Sequence, residues 1–453
     1  MPTCPGRPGR PGDPATDRLR SVIRRGTPAA AVAGVIVLSL AGCTSSSGAG
    51  AGGSGDSGGG ATVKVAALYP LSGSNGTQGL DTLHGVELAT EVVNGDYPDI
   101  DLGLAKGTGL TGLGGRKVEL TSVDTQGDPQ KGAASADQAV TGGKAVALIG
   151  AYQSAVTKAA SQRAERLGVP FVNGASSSTE LTERGLNWFF RTGPSDATFA
   201  RTFFDFVDAQ RKAGKPAQRV AIFHGNEDYG NNGAKITTQL ATERGYDVVA
   251  DVSYDTTATD LTSQVQQLRV AKPDIVFVLS YTDPAAKFVS TLKQLNWYPS
   301  SVLAYGAGFV DPAFIKGSGA DAEGMMTRAS WSQEIAQARP SAKAVAELFQ
   351  KKYNQPMTEN SARSFTAALT LFQAIDTAKS TEPEKIKQAL IATDVPGDKT
   401  IMPWTRVKFD DKHQNTGASG VVEQMKNGEY KVVFPADVAT TQAIWPFRTA
   451  TAG

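Results

Sequence analysis

Residues 145–182 read AVALIGAYQSAVTKAASQRAERLGVPFVNGASSSTELT, and the pattern is strand, turn, helix, strand, turn. Residues 145–149 form a short apolar run of the kind a parallel sheet buries on both faces, and Gly150 breaks it into a turn ending at Ser154. Ser154 is a good N-cap for a helix over 155–167, which Gly168 closes. A second strand, 169–172, ends in Asn173, Gly174, Ala175, Ser176, Ser177 and Ser178, so hydroxyls and backbone N–H groups lie just past the carboxyl end of a strand. Open parallel sheets take ligands at that edge, and a helix N-terminus beside it favours an anion. Each turn read alone is equally what an ordinary βαβ unit uses to start a helix or end a strand.

Outward from this stretch the chain is long. At 453 residues it exceeds one ordinary core, so two domains are expected. Residues 1–26 are rich in Pro, Gly and Arg, and 27–42 are almost wholly apolar or small, ending Leu40-Ala41-Gly42-Cys43. A basic region, an apolar stretch too short for a membrane span and small residues before a cut make residues 1–42 an export signal. Leu-Ala-Gly-Cys resembles the bacterial lipobox, which implies cleavage before Cys43 and a lipid on its sulfur. The only other cysteine, Cys4, would leave with the signal, so the mature chain could form no internal disulfide. The signal carries six arginines and two aspartates; without them 39 basic and 42 acidic residues remain, a balance of −3 that gives nucleic acid nothing to bind. Residues 43–61 form a lipidated cysteine and a Gly/Ser/Ala tether with a reach of roughly 20–25 Å.

Two strings resemble enzyme signatures. Gly55-Asp56-Ser57-Gly58-Gly59 matches a serine-protease nucleophile segment but falls in the tether, where no preorganised site can form. Gly107-Thr108-Gly109-Leu110-Thr111-Gly112 has dinucleotide-loop glycines but follows no strand, and is expected to be a loop. Strands at 63–69 and 116–124 and helices at 77–93 and 129–140 precede the opening stretch. After an extended 187–191 and the connector Arg191-Thr192-Gly193-Pro194, a second set alternates: helix 197–213, strand 220–224, helix 229–244, strand 247–252, helix 261–270, strand 274–280, helix 284–295 and strand 301–305. Helices then dominate to residue 393, followed by short strands at 406–410, 419–424 and 430–433. The pattern is α/β, with two Rossmann-like lobes divided near residue 192.

Several phrases stand in a familiar order: Tyr69-Pro70-Leu71-Ser72-Gly73, the turn 150–154, the run 174–182 followed by Gly185, Phe190-Arg191-Thr192, Asp228-Tyr229-Gly230, and Met402-Pro403-Trp404 through Phe409-Asp410 to Gln414-Asn415. With the export signal in front, residues 63–446 resemble the periplasmic branched-chain amino acid binding proteins, the solute receptors of ABC importers. The resemblance implies a type I periplasmic binding protein, two lobes joined by a three-crossover hinge. Lobe 1 is expected from 62–192 plus 309–400, lobe 2 from 193–308 plus 401–446, and a tail from 447–453. It further implies that Ser154 and the Ala175, Ser176 and Ser177 turn meet a ligand carboxylate, and that Tyr229 and Tyr281 close from the second lobe. Read alone, each tyrosine could equally be ordinary packing.

The departures concern the ammonium. Family members that bind α-amino acids carry an acid where an ungapped alignment places Ala307, and Gln78 stands where some relatives have an aromatic wall. A buried ammonium without a carboxylate costs several kcal/mol, so another acid serves or the ligand has none. Asp283 is the nearest substitute, with Asp228 and Glu227 behind it, though each could be a solvated surface charge. The ligand is then an amino acid, or an amide, urea or carboxylic acid.

Three function classes follow: an importer receptor anchored by Cys43 to the outer face of a bacterial membrane and serving a permease and ATPase; a sensor reporting to a membrane kinase; and an exported hydrolase. The first is favoured. The folded part offers His84, His224 and His413, no cysteine, no HExxH and no nucleophile elbow, so neither catalytic residues, nor a metal, nor a cofactor is expected. A monomer is expected.

Overall fold

A computed structural model describes residues 61–447 of the chain. The signal 1–42, Cys43 and the Gly55–Gly59 string lie outside the described residues.

The first half of the alternation forms β1 (Val63–Tyr69), α1 (Gly76–Asn94), β2 (Val118–Asp124), α2 (Pro129–Asp137), β3 (Ala147–Gly150), α3 (Ser154–Leu167), β4 (Phe171–Asn173) and β5 (Phe189–Arg191). Its strands make a five-stranded sheet in the order β2-β1-β3-β4-β5, parallel throughout. Alternate residues of β1 feed opposite faces: Val65, Ala67 and Tyr69 enter one core and Ala66 and Leu68 the other. The loop at 107–112 precedes no helix of more than a single 3-10 turn, as expected.

The second half forms α4 (Asp196–Lys212), β6 (Arg219–Gly225), α5 (Asp228–Glu243), β7 (Asp247–Tyr254), α6 (Thr262–Ala271), β8 (Ile275–Leu279), α7 (Thr282–Gln294), β9 (Ser301–Ala304), α8 (Pro312–Ser318) and β10 (Met326–Ala329). The remainder is α9 (Gln333–Gln337), α10 (Pro340–Tyr353), α11 (Glu359–Ala378), α12 (Pro383–Ile391), β11 (Asp394–Pro396), β12 (Arg406–Lys408), β13 (Val421–Lys426) and β14 (Glu429–Phe434). The second sheet has seven strands in the order β14-β13-β10-β9-β8-β6-β7, with β13 and β14 antiparallel at one edge. β8 is buried along its whole length because helices cover both its faces: Ile275, Phe277 and Leu279 enter one core, Val276 and Val278 the other.

The lobe boundaries differ from those expected at 308/309 and 400/401. β10 pairs with β9 and β13, and Phe309, Phe314 and Met325 pack in the second lobe, so the chain leaves that lobe only after Ala329. It returns near residue 420, because Trp404, Val407 and Phe409 bury in the first lobe's core and β12 pairs with β11 there. Phe447, expected in the tail, packs into the second lobe.

Three crossovers therefore join the lobes, near 192–195, 330–331 and 415–420. The first and third run side by side. The Arg191 N–H donates to the His413 carbonyl (2.9 Å) and the Asn415 N–H to the Arg191 carbonyl (2.9 Å). Arg191, fully buried, spreads its guanidinium over Gln414 Oε1 (2.6 Å), the Ser178 carbonyl (2.5 Å) and Thr182 Oγ1 (3.3 Å).

Candidate functional site

Both sheets direct the carboxyl ends of their central parallel strands at one cleft, and the turns past those ends meet there. From the first lobe come Tyr152 and Ser154 after β3, Ala175, Ser176 and Ser177 after β4, and Asn360 at the start of α11. From the second come Tyr229 after β6, Tyr281 after β8, Ala307 after β9 and Arg328 on β10. These ten residues line one cavity at the bottom of the cleft.

The turn after β3 requires Gly150. Its φ of +149° is closed to L side chains, and a Cβ there would stand 2.4 Å from the Leu68 carbonyl oxygen. The helix that follows begins one residue earlier than the sequence suggests. Gln153, extended at φ −74°, ψ 140°, is the N-cap and its side chain makes no capping bond, while Ser154 is the first helical residue. The Ser154 hydroxyl is therefore turned to the cavity wall, where it accepts from the Ser178 N–H (3.4 Å), and the first N–H groups of α3 have no side-chain cap.

Within the serine run the roles divide. The Ser176 hydroxyl is held by Thr157 Oγ1 (2.6 Å) and the carbonyls of Ala151 (3.0 Å) and Tyr152 (2.9 Å), so it braces one turn against the other. The Ala175 carbonyl accepts from Arg363 (2.8 Å), and Ser177 lies beside Asp196.

Three tyrosines cover the cavity. Tyr281 packs at 5.3 Å from Tyr229 and, across the cleft, at 5.7 Å from Tyr152, all ring to ring and tilted. The Tyr229 hydroxyl donates to the Tyr305 carbonyl (2.9 Å), while that of Tyr152 is buried with no protein partner. Burial pushes all three phenols above their usual range, so they are neutral hydroxyls at any physiological pH.

Behind the wall is a buried charge network that spans the hinge. Arg328 pairs with Glu359, whose other oxygen accepts from the Ser330 N–H (2.7 Å) on the second crossover, and Arg363 stands 3.8 Å from Glu359. The Arg328 guanidinium also lies 3.8 Å over the Phe199 ring. Asp196 has Arg328, Arg191 and Arg363 in its field; burial raises its pKa, and Ser177 and these cations oppose the rise. Asp311 accepts from Thr282 (2.5 Å) and from the start of α8 (2.8 Å). None of these acids lines the cavity, and its single ionisable cation is Arg328.

Two of the expected site residues stand elsewhere. Asp283 is exposed in the first turn of α7 and lines the cleft's mouth with Lys287, Glu227 and Asn75, outside the cavity, because its position on the helix faces solvent. Gln78 is fully buried behind the wall; its Oε1 accepts from Asn360 Nδ2 (2.7 Å), so it supports a lining residue. Tyr152, Arg328 and Asn360 were not anticipated. Tyr152 sits inside the decisive stretch and could have been read from its place between Gly150 and Ser154; Arg328 and Asn360 have no local signal. The histidines all have partners away from the cavity: His84 stacks on Tyr353 (3.9 Å), His224 meets Asp251 (3.2 Å) and His413 stacks on Phe190 (4.2 Å).

The lobes are closed. Across the cleft the Thr179 N–H donates to Asn232 (3.0 Å) and Lys158 reaches Asp228 (3.5 Å). The cavity at the bottom of the cleft is about 20 Å³, room for little more than one water, so a ligand reaches it only as the lobes part, while the cleft's mouth, where Glu227, Tyr281 and Asp283 stand, keeps about 530 Å³.

Comparison with known proteins places this arrangement. The model of a family described as periplasmic binding protein matches residues 62–429. A Leu/Ile/Val-binding protein homolog of Brucella suis is 27% identical over 399 residues, covering 85% of this chain and 94% of that protein. The solved leucine binding protein LivK of Thermotoga maritima aligns with a TM-score of 0.69 at 25% identity, over 82% of this chain and 97% of that one. An ABC transporter solute binding protein of R. palustris, solved in complex with benzoate, aligns with a TM-score of 0.68 at 19% identity, over 82% of this chain and 95% of that one.

Proposed function

The chain belongs to the periplasmic binding protein family, in its branched-chain amino acid binding group, and on that premise we propose that it is the solute receptor of an ABC importer whose ligand is a small carboxylic acid without an ammonium group. The observation that carries this reading is the cavity's lining: hydroxyls, amide groups, three neutral tyrosines and one guanidinium, with no carboxylate. Ser154, Ser177, the Ala175 N–H and the start of α3 supply donors for a carboxylate. The tyrosine rings supply an apolar enclosure for its body. An ammonium in the same place would lose its hydration and gain no counter-charge, at several kcal/mol. The fold can accept such a ligand, since the R. palustris protein holds benzoate.

In this reading the ligand bridges Ser154 and Ser177 of one lobe and Tyr229 and Tyr281 of the other, so it favours closure of the lobes onto itself, with the two held further apart than in this structure, whose cavity of about 20 Å³ is smaller than such a ligand. The closed form is the one delivered to a permease and its ATPase, and a lipid on Cys43 with the 43–61 tether keeps the receptor at the membrane's outer face. It acts by binding and performs no catalysis.

The test is thermal stability in the presence of benzoate and other small carboxylates. A ligand at 1,000 times its dissociation constant adds roughly 4 kcal/mol, enough to read as a clear rise in Tm. Ser154→Ala removes a hydrogen bond to a charged group, worth about 1.5–3 kcal/mol, and is expected to weaken the active ligand about 10- to 100-fold. Stabilisation by α-amino acids alone would overturn the reading.

A further inference from the structure

Among the described residues that line the cleft cavity, Arg328 alone carries a positive charge, and it is 2% exposed. It stands on β10 of the second lobe. Glu359 of the first lobe holds it at one nitrogen, Nη1, and the other Glu359 oxygen is taken by the Ser330 N–H (2.7 Å). The guanidinium carbon lies 3.8 Å from the centre of the Phe199 ring, and Gly306, in the turn after β9, comes so close that a Cβ there would stand 2.6 Å from the same carbon. Fixed by a carboxylate, a ring and a glycine, this guanidinium meets a ligand without first losing the rotamer freedom of a surface arginine.

The carboxylate donors proposed above, Ser154, Ser177 and the start of α3, leave this group unused. A guanidinium has N–H donors and no acceptor, so whatever meets it must accept. The acids near it, Glu359, Asp196 and Asp311, do not line the cavity, so the charge that a ligand meets there is positive. Ser330, on the second crossover, follows closely in the chain, which puts Arg328 by the hinge, where parting of the lobes displaces atoms least. The cavity of about 20 Å³ gathers its lining around a space little wider than one water, so the carboxylate donors and the guanidinium serve neighbouring atoms of one ligand.

We propose that Arg328 sets the specificity of the cleft for 2-oxo acids, its guanidinium donating to the oxygen on the carbon next to the ligand carboxylate. The inference rests on the carboxylate reading of the cleft and adds to it the substituent beside that carboxylate. While the carboxylate meets Ser154 and Ser177, the 2-oxo oxygen accepts from Arg328. A carbonyl oxygen only accepts, as a guanidinium only donates, so neither is left with an unmatched proton. A 2-amino group, charged at neutral pH, would face a like charge at the same place.

The test is isothermal titration of the full chain with two pairs of acids, 4-methyl-2-oxopentanoate against 4-methylpentanoate and phenylpyruvate against 3-phenylpropanoate, each pair alike but for the oxygen on carbon 2. The oxo acid of at least one pair is expected to bind about tenfold tighter or more, as one hydrogen bond to a charged group provides. That preference is lost in the double variant Arg328→Met with Glu359→Leu, or in Arg328→Gln with Glu359→Gln if the first does not fold, whereas Ser154→Ala weakens both acids and keeps it. The ratio of the two acids on one protein is the readout, because a merely loosened fold would weaken both alike. Equal binding within both pairs, or a preference that outlasts the replacement of Arg328, would overturn this inference and leave the carboxylate reading standing. Binding of none of these acids would overturn both.

Discussion

Replacing Glu359 by Gln keeps the side chain's shape and removes the carboxylate that faces two buried guanidiniums. The side chains of Arg328, Glu359 and Arg363 are 3%, 2% and 1% exposed, so none of the charges is screened by water. Leaving a buried charge uncompensated costs about 3–5 kcal/mol, and Gln, which can still accept from the Ser330 N–H, is expected at the lower end, about 3 kcal/mol. An unfolding entropy of about 2.1 cal/mol/K per residue over roughly 390 residues is about 0.8 kcal/mol/K, so the Tm falls by about 4 °C. Differential scanning calorimetry reads this directly. The double variant Arg328→Met with Glu359→Leu removes both charges of the closest pair, and is expected to be less destabilised than Glu359→Gln alone, because a buried pair replaced by apolar groups of like volume costs little. A Glu359→Gln protein within about 1 °C of the parent, or a double variant well below the single one, would refute the idea that this pair balances charge across the second crossover.

Ala307→Asp should create α-amino acid binding: Ala307 lines the cavity at φ +48°, a left-handed conformation that Asp tolerates better than Ala, so the acid arrives without added strain. Appearance of leucine-dependent thermal stabilisation confirms it, and none contradicts it. Glu423→Gln should be progressively stabilising as pH rises. Folded Glu423 keeps its proton to about pH 8 while the unfolded residue loses it near pH 4.3, so the native chain binds more protons in that window and its stability falls with pH by up to about 1.4 kcal/mol per unit. Denaturation midpoints of the two proteins should diverge between pH 5 and pH 8; a constant difference speaks against it. Gly308→Ala would bring a Cβ to 2.3 Å from the Tyr281 carbonyl carbon and 2.5 Å from the Thr282 nitrogen, displacing Ala307 and Tyr281 together. Cleft affinity should drop more than tenfold, with about 1–3 kcal/mol of stability lost to overpacking.

What could be read from sequence followed from local periodicity. The apolar runs of β1, β3 and β8 and the helices between them are visible because parallel strands buried on both faces are continuous in hydrophobicity. β10 was not, since Met-Thr-Arg-Ala has no such run: its arginine is buried only because Glu359, 31 residues on, neutralises it. The lobe boundaries moved for the same reason, as Trp404, Val407 and Phe409 carry no mark of which core they join. At the site, the turns after β3 and β4 were legible because strand-end serines and a helix start are local signals, and Tyr229 and Tyr281 came through the family resemblance. Asp283 and Gln78 were misplaced by one helix face or one layer, a distinction made by tertiary packing.

The claim that the cavity rejects an ammonium is tested most directly by isothermal titration of leucine against 4-methylpentanoate, which differs from leucine only in lacking the amine. Tighter binding of 4-methylpentanoate, by tenfold or more, is predicted from a donor-lined cavity without a carboxylate. Tighter binding of leucine would contradict it and show that an acid behind the wall, with Asp196 and Asp311 the first to replace by Asn, moves in to meet the ammonium.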